Sequence, residues 1–406
     1  MWGGIKLGKL VINQEKLNAE NIKKLLEICP FGAIEEKDGK IDINSGCKMC
    51  KLCVKKGPEG IVEFIEEEVK QIDKNLWNGF AVYVDHVEGD IHPVTYELIG
   101  KAKELGDKIG HPVFALFIGH NIEEKAKELL HYGVDEVFVY DNKELVDFRI
   151  EPYAAAFEDF INKVKPSSIM VGATTIGRSL APRLAARFKT GLTADCTIIE
   201  VKENTDLVQI RPAFGGNIMA QIVTPNNRPQ FCTVRYKVMD APERAKEEKG
   251  KITVCHIGED KLSSNIEVLK VTKKEKEVGI SDAEVIVVAG RAIKSQKELD
   301  MVYELADLLD AQVAGTRPLI EAGLIDARKQ IGLSGRTVKP KLIITLGVSG
   351  AIQFVAGMNN SEYIFAINND PNATIFNVAH YGIIGDIHEI VPSLIERIKA
   401  GTSAIL

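Results

Sequence analysis

The sequence predicts an α/β protein: two doubly wound parallel-sheet domains preceded by a small α+β unit. Three observations carry this expectation. Short continuous apolar runs at 285–289, 342–346 and 363–367 end in Gly or Asn turns, the mark of parallel strands buried on both faces. From Gly79 onward, strand-like runs alternate with helical periods, which calls for an open sheet with helices on both faces. Ahead of them, residues 1–66 carry their own strand, helix and hairpin signals and hold four of the chain's seven cysteines.

A chain of 406 residues is too long for one ordinary core, so two or three domains are expected. A hydrophobic content of 45% and a charged content of 27% are those of a globular protein in water. No apolar run approaches the ~20 residues that span a bilayer, and no signal-peptide pattern opens the chain. A cytoplasmic protein without a membrane partner is the expectation. The formal net charge of −6 and the lack of long Lys/Arg runs give no reason to expect nucleic acid. Seven cysteines, an odd number with four crowded before residue 54, argue against a secreted disulfide framework and for metal or redox chemistry.

In residues 1–66, Leu10-Val11-Ile12 reads as a strand and 19–28 as a helix that stops at Cys29-Pro30, where proline disfavours helical continuation. A turn at Lys37-Asp38-Gly39-Lys40 joins a hairpin. Then comes Cys47-Lys48-Met49-Cys50-Lys51-Leu52-Cys53. Three thiolates two residues apart can reach three corners of one iron–sulfur cube, and a distant Cys-Pro closes the fourth. In bacterial two-cluster ferredoxins each run ends in a cysteine that serves the other cluster. Here Gly57 stands where that cysteine would be, and the first motif survives only as Cys29-Pro30. One cluster has lost its ligands, while Cys29, Cys47, Cys50 and Cys53 remain as candidate ligands of a single 4Fe-4S cluster. A zinc knob built from the same thiolates is the alternative, although zinc sites more often pair two Cys-x-x-Cys hooks. The segment resembles a half-degenerate ferredoxin domain.

The charged stretch 61–75 reads as a solvated linker, and 67–78 is assigned as the tether. A first α/β domain follows at 79–275. Its strands are expected at 81–84, 113–118, 136–140 and 168–172, and its helices at 95–109, 122–132, 153–164 and 178–188. Short strand-rich runs follow at 196–201, 207–212, 219–223 and 230–236. Residues 172–178 could cradle a phosphate by composition but lack a phosphate-loop lysine, so a plain strand-to-helix turn is expected. Cys196, Cys232 and Cys255 read as buried small hydrophobes. Residues 237–276, rich in Lys and Glu, read as the connection to a last domain at 276–406.

That last domain carries a family resemblance. Gly290-Arg291, Gly315-Thr316-Arg317-Pro318, Gln330-Ile331-Gly332-Leu333-Ser334-Gly335, Val348-Ser349-Gly350-Ala351-Ile352-Gln353, Ala366-Ile367-Asn368-Asn369-Asp370-Pro371 and Tyr381-Gly382-Ile383 follow one another as in electron-transfer flavoprotein alpha subunits. Gly191-Leu192-Thr193-Ala194-Asp195-Cys196 and the run from Arg211 to Asn217 are similar to the same family's first domain. The resemblance implies a Rossmann-like first domain that packs on a beta subunit, and a flavodoxin-like second domain that binds FAD.

An isoalloxazine needs a donor near N5, positive charge near N1 and O2, and amides or hydroxyls along the pyrophosphate. The resemblance lays Arg291 against the flavin and Thr316 and Arg317 along the ribityl and pyrophosphate side. It carries over Gln330, Gly332, Ser334 and Gly335 as flavin-facing residues, with a hydroxyl at Ser334. Ser349, Gly350, Ala351, Ile352 and Gln353 would form a helix N-terminus under the phosphates, and Asn368 and Asp386 would hold the adenosine half. The run at 211–217 would be an interface or a loop near the flavin. Phe354 and Leu333 stand where many members have His and Gln, so a flavin potential unlike that of a simple carrier is expected.

An iron–sulfur head points, by the same resemblance, to the electron-bifurcating branch of the family. There NADH reduces a flavin in the beta subunit, one electron goes to ferredoxin and the other to a flavin dehydrogenase of the lactate or acyl-CoA type, with lactate slightly favoured. The chain shows no acid–base pair of its own, so no catalytic residue is assigned. The alternative is a non-bifurcating one-electron carrier that serves acyl-CoA dehydrogenases and uses its head for docking.

Overall fold

In the computed structural model, residues 8–37, 39–44, 46–66, 72–216, 218–272 and 279–401 are described. The chain divides into two compact units, Met1–Ile72 and Asp73–Leu406. Asp38 of the hairpin turn, the charged run 67–71 and Asn217 lie outside the described residues, as do residues 273–278 around the expected domain boundary.

The first unit contains β1 (Gly8–Ile12), α1 (Ala19–Ile28), β2 (Ile34–Lys37), β3 (Lys40–Ile43), α2 (Leu52–Lys55) and β4 (Val62–Glu66). Helix α1 starts where the Asn18 side chain accepts the Asn21 N–H at 2.8 Å, a cap for an otherwise unpaired donor. It ends at Cys29, whose extended backbone precedes Pro30. Strand β1 pairs antiparallel with β4, and β2 with β3. Ile22, Leu25, Ile34, Ile41, Cys53, Ile61 and Val62 form its small core.

The second unit opens with a seven-stranded, all-parallel sheet. Its elements begin β5 (Phe80–Tyr83), a short hairpin β6 (His86–Val87) and β7 (Asp90–Ile91), α3 (Val94–Ile109), β8 (Val113–Gly119), α4 (Glu123–Ala126) and β9 (Glu136–Asp141). They continue with α5 (Ile150–Val164), β10 (Ser168–Gly172), α6 (Thr175–Arg187) and β11 (Leu192–Thr193). An antiparallel sheet of β12 (Ile198–Val201), β13 (Leu207–Ala213) and β14 (Ile218–Val223) comes next, before β15 (Gln230–Val234) and β16 (Lys251–Val254). The order β11-β15-β10-β5-β8-β9-β16 reverses between β5 and β10, the doubly wound pattern. Two apolar clusters cover its faces.

Five readings are corrected here. The expected helix 122–132 is α for four residues only and then tightens to 3-10 over Lys127–Tyr132. Helix α6 begins at Thr175, three residues early, because Thr174 caps it by accepting the Gly177 N–H at 3.1 Å. The connection 237–276 is not all solvated: β16 pairs with β9 at the sheet edge, and Leu262 is buried. Likewise 73–78 is no free tether. Lys74 pairs with buried Asp206 at 2.6 Å, and the Asn78 N–H donates to Lys165 O at 3.0 Å. Cys196 and Cys232 are buried as expected, whereas Cys255 is only half-buried.

The C-terminal part runs β17 (Val285–Ala289), α7 (Gln296–Leu308), β18 (Gln312–Gly315), α8 (Arg317–Glu321), β19 (Leu342–Leu346), α9 (Ile352–Val355), β20 (Tyr363–Asn368), β21 (Tyr381–Ile384) and α10 (Ile387–Lys399). Its five parallel strands lie in the order β18-β17-β19-β20-β21, the flavodoxin-like 2-1-3-4-5 arrangement, whose switch point lies between β17 and β19. A capping box at Ser295 and Glu298 starts α7, and apolar residues cover both faces of the sheet.

Candidate functional site

At the carboxyl ends of β17, β18, β19 and β20 lies a cleft of about 740 Å³, where doubly wound sheets bind ligands. Glycine makes its walls possible. A Cβ on Gly290 would stand 2.3 Å from Gly347 O, and one on Gly350, at φ +87°, would stand 2.1 Å from Ile375 N. Only bare backbone lets these loops pack so closely.

The cleft gathers Arg291, Thr316, Arg317, Gln330, Gly332, Ser334, Ser349, Ala351, Gln353 and Asn368. Thr316 is the informative one. It is 9% exposed, and its buried Oγ1 has no hydrogen-bond partner among the described residues. Such orphans are costly and call for a ligand or a water. Arg317 is exposed and pairs with Glu321 at 2.8 Å. The Gln330 amide donates to Ser334 Oγ at 2.7 Å. Between Ser349 and Gln353 the backbone is pinned from behind: the Ile375 N–H donates to Ser349 O at 3.0 Å, and Thr374 Oγ1 donates to Ser349 O and Gly350 O at 2.9 Å. The helix that follows, α9, is one turn long.

Four of the carried-over residues stand elsewhere. Gly335 and Gly350 do not line the cleft but keep its loops tight, since a Cβ on Gly335 would meet Gln330 O at 2.3 Å. Ile352 packs toward Gly216, where an added Cβ would touch its Cγ2 at 2.4 Å. Asp386 caps α10 by accepting the His388 N–H at 2.8 Å. Asn368 does line the cleft, but its amide is occupied: Nδ2 donates to Val348 O at 2.8 Å, and Oδ1 accepts the Asp370 N–H at 2.9 Å. Phe354 and Leu333 form an apolar wall, and Asp370, part of the family motif but assigned no role from sequence, adds a carboxylate to the lining.

Sequence reasoning also missed Arg235, which follows β15. Its guanidinium grips Asp195 through Nε at 3.1 Å and Nη2 at 2.7 Å, and also donates to Leu333 O at 2.9 Å and Gly335 O at 3.2 Å. Although Asp195 is partly buried, which works the other way, Arg235 and its companions Arg178 and Arg211 hold the carboxyl below its ordinary value. One arginine thus ties the loop 330–336 to the first sheet. No local signal could reveal a partner nearly a hundred residues away. A second cavity of about 230 Å³ adjoins this contact and includes Arg211, Phe214 and Gly216, so the run expected near the flavin is contiguous with the cleft.

The equivalent crevice of the seven-stranded sheet, between β5 and β10, is filled. Thr174 Oγ1 hydrogen-bonds the Asp85 carboxylate, and an added Cβ on Gly172 would strike Val94 at 2.6 Å. Burial pushes the Asp85 carboxyl up. The turn 172–178 therefore has an acid at its helix start, which disfavours an anion there.

In the first unit, Cys29, Cys47, Cys50 and Cys53 line one small cavity together with Phe31, Lys48 and Lys51. Met49 and Lys51 hold positive φ, and this curls the loop around the thiols. The Ala33 N–H points at Cys29 Sγ at 3.3 Å and the Met49 N–H at Cys47 Sγ at 3.4 Å, the kind of donors that stabilise metal-bound thiolates. Among the described residues, no three His, Cys, Asp or Glu side chains close into a group that could hold a metal ion. The thiols converge on one cavity without closing to single-ion spacing. Gly57, which the sequence puts where a second cluster's ligand would stand, has no room for a side chain: its Cβ would lie 2.1 Å from Cys53 O.

Comparison with known proteins agrees with this architecture. The electron transfer flavoprotein domain family matches residues 81–259, and the electron transfer flavoprotein FAD-binding domain family matches residues 279–359. The chain is similar to the lactate dehydrogenase (NAD(+),ferredoxin) subunit LctC of Acetobacterium woodii, at 63% identity over 98% of this chain and 94% of that one. It is 43% identical to an electron transfer flavoprotein subunit alpha of Thermoanaerobacterium thermosaccharolyticum, over 80% of this chain and 98% of the relative. It is 39% identical to the acryloyl-CoA reductase electron transfer subunit beta of Anaerotignum propionicum, over 82% and 98%. The latter two alignments leave out roughly a fifth of this chain, whereas the first takes in nearly all of it. The sheet order, the cleft with its orphaned Thr316 hydroxyl, and these matches lead to one assignment: the chain belongs to the electron transfer flavoprotein alpha-subunit family, and its C-terminal domain is the family's FAD-binding domain.

Proposed function

We propose that this chain is the FAD-carrying alpha subunit of an electron-bifurcating assembly. The assembly oxidises NADH at a beta subunit, reduces ferredoxin and exchanges electrons with a flavin-dependent lactate dehydrogenase. The observation that carries this reading is the 63% identity to the LctC subunit over 98% of the chain, which takes in the four-cysteine unit as well as both flavoprotein domains. The acryloyl-CoA reductase relative is matched over less of the chain and at lower identity, which favours lactate over an acyl-CoA partner.

In this reading Cys29, Cys47, Cys50 and Cys53 hold one 4Fe-4S cluster, which supplies one-electron transfer. FAD, when bound, supplies both one- and two-electron chemistry. The chain's own residues bind and tune. Thr316 offers its unpartnered hydroxyl to the ligand, and Arg291 and Arg317 supply positive charge at the cleft mouth. Ser334, held by the Gln330 amide, would offer a fixed oxygen to the ring. Leu333 and Phe354, which line the cleft, would keep water from the ring and offer it no polar contact, so this flavin would differ from that of a plain carrier.

The test is metal and cofactor analysis of the anaerobically co-expressed alpha–beta heterodimer. About four irons with matching sulfide and two FADs are expected. Zinc in place of iron, or a single FAD beside a tightly bound AMP, would return the chain to the non-bifurcating carriers with a docking head.

A further inference from the structure

The thiol-bearing cavity of the first unit has a charged rim that the cluster alone does not require. Lys48 and Lys51 line the same cavity as the four thiols. Lys55 and Lys56 follow at the end of α2, and between Cys47 and Lys56 there is no acidic residue. Among the described residues, no carboxylate pairs with Lys48, Lys55 or Lys56, although an ion pair joins Lys37 to Glu35 on the same unit. Lys51 stacks its ammonium over Phe64, 3.4 Å from the ring centre.

Apolar groups interrupt this rim. Phe31 is 50% exposed and Met49 is 41% exposed, Cys50 is exposed beside them, and Phe31 lines the cavity. A free anion is held by donors converging on one point. Here cations are spread along the nine residues from Lys48 to Lys56 and flank bare aromatic and thioether surface, which suits a protein face instead. One sign of charge steers an oppositely charged partner and raises its encounter rate. Phe31 and Met49 then supply the short-range, water-excluding contact. Electron-transfer complexes use small interfaces of this kind.

We propose that this face is a docking surface for a small acidic electron-carrier protein, with Lys48 at its centre. The proposal rests on the reading of Cys29, Cys47, Cys50 and Cys53 as cluster ligands, and it names the chemistry of the partner that meets the cluster. Exposed Cys50 brings the partner's redox centre within short reach of the site.

The test uses the full anaerobic heterodimer and an acidic bacterial-type ferredoxin as probe, with binding followed by calorimetry at low and high salt. Lys48→Glu combined with Lys55→Glu and Lys56→Glu is expected to weaken binding at least about tenfold at low salt and to flatten its salt dependence. Iron, FAD and the reduction rate of a small uncharged dye should stay at wild-type values, and Lys48→Arg should bind as wild type. Ferredoxin affinity unchanged by the charge reversals, in protein that retains its iron, would overturn the docking surface alone. A wild-type heterodimer without iron would overturn the cluster reading, and this proposal with it.

Discussion

The two parallel sheets of the larger unit obey the same winding rule, yet only one leaves its switch point open. In the seven-stranded sheet the crevice between β5 and β10 is closed by Val94 against Gly172 and by the Asp85–Thr174 contact. In the five-stranded sheet the same position opens into a cleft of about 740 Å³, held apart by loops that approach only where Gly290, Gly347 and Gly350 permit. Architecture locates a crevice, and the side chains at the strand ends decide whether a ligand can use it. A buried carboxylate at one helix start repels an anion, whereas a buried, unpartnered hydroxyl at the other asks for a ligand.

The largest effect should come from closing the open crevice. Gly350→Ala must place a methyl 2.1 Å from Ile375 N in a positive-φ position, which costs about 2–4 kcal/mol. The purified variant is expected to lose bound FAD and to melt earlier, as read by flavin absorbance and differential scanning calorimetry. Retention of full FAD would show that the glycine loops do not shape the site.

A smaller effect is expected where the two sheets meet. Arg235→Ala removes charge-assisted bonds to Asp195, Leu333 O and Gly335 O, each worth about 1.5–3 kcal/mol when buried and less at this partly exposed site. FAD affinity should fall roughly five- to tenfold, about 1–1.4 kcal/mol, with a changed flavin spectrum. An unchanged spectrum and affinity would mean that the loop 330–336 holds its shape without the first sheet.

A third effect shows itself only with pH, as a signature of the filled region. Burial raises the Glu97 carboxyl to about 7, against an ordinary value of 4.5, while its two oxygens accept the Lys237 N–H at 3.0 and 3.1 Å. The folded state keeps a proton that the unfolded chain has already released. Its contribution is therefore complete below about pH 4.5 and is lost as the pH rises to 7. Glu97→Gln should gain on the wild type across that window, by on the order of 2 kcal/mol at pH 8 relative to pH 5. Parallel stability curves would contradict a buried titrating carboxylate.

What the sequence made legible follows from physics that is local. Strands buried on both faces read as continuous apolar runs, so β17, β19 and β20 were found within a residue. Helix α1 was found to the residue because a proline follows it. That the four cysteines gather around one cavity was legible from their spacing. Edge strand β16 escaped because half its residues face solvent inside a Lys/Glu-rich stretch. Arg235 escaped because its partners are distant in sequence. Whether a glycine contacts a ligand or merely tightens a turn, as at Gly335 and Gly350, depends on backbone that only the fold brings near. The engaged amide of Asn368 and the orphaned hydroxyl of Thr316 look alike in a sequence, as polar residues at strand ends.

The comparison is tested most directly by titrating FAD into the apo form of the full chain for the wild type, Thr316→Val and Asp85→Asn, side by side. The wild type should saturate at one FAD per chain. Thr316→Val should bind about tenfold more weakly, without loss of apo stability because the hydroxyl has no partner among the described residues, and Asp85→Asn should bind as wild type. Two FADs per chain, or an affinity that follows Asp85 and ignores Thr316, would contradict the assignment of the ligand to the five-stranded sheet.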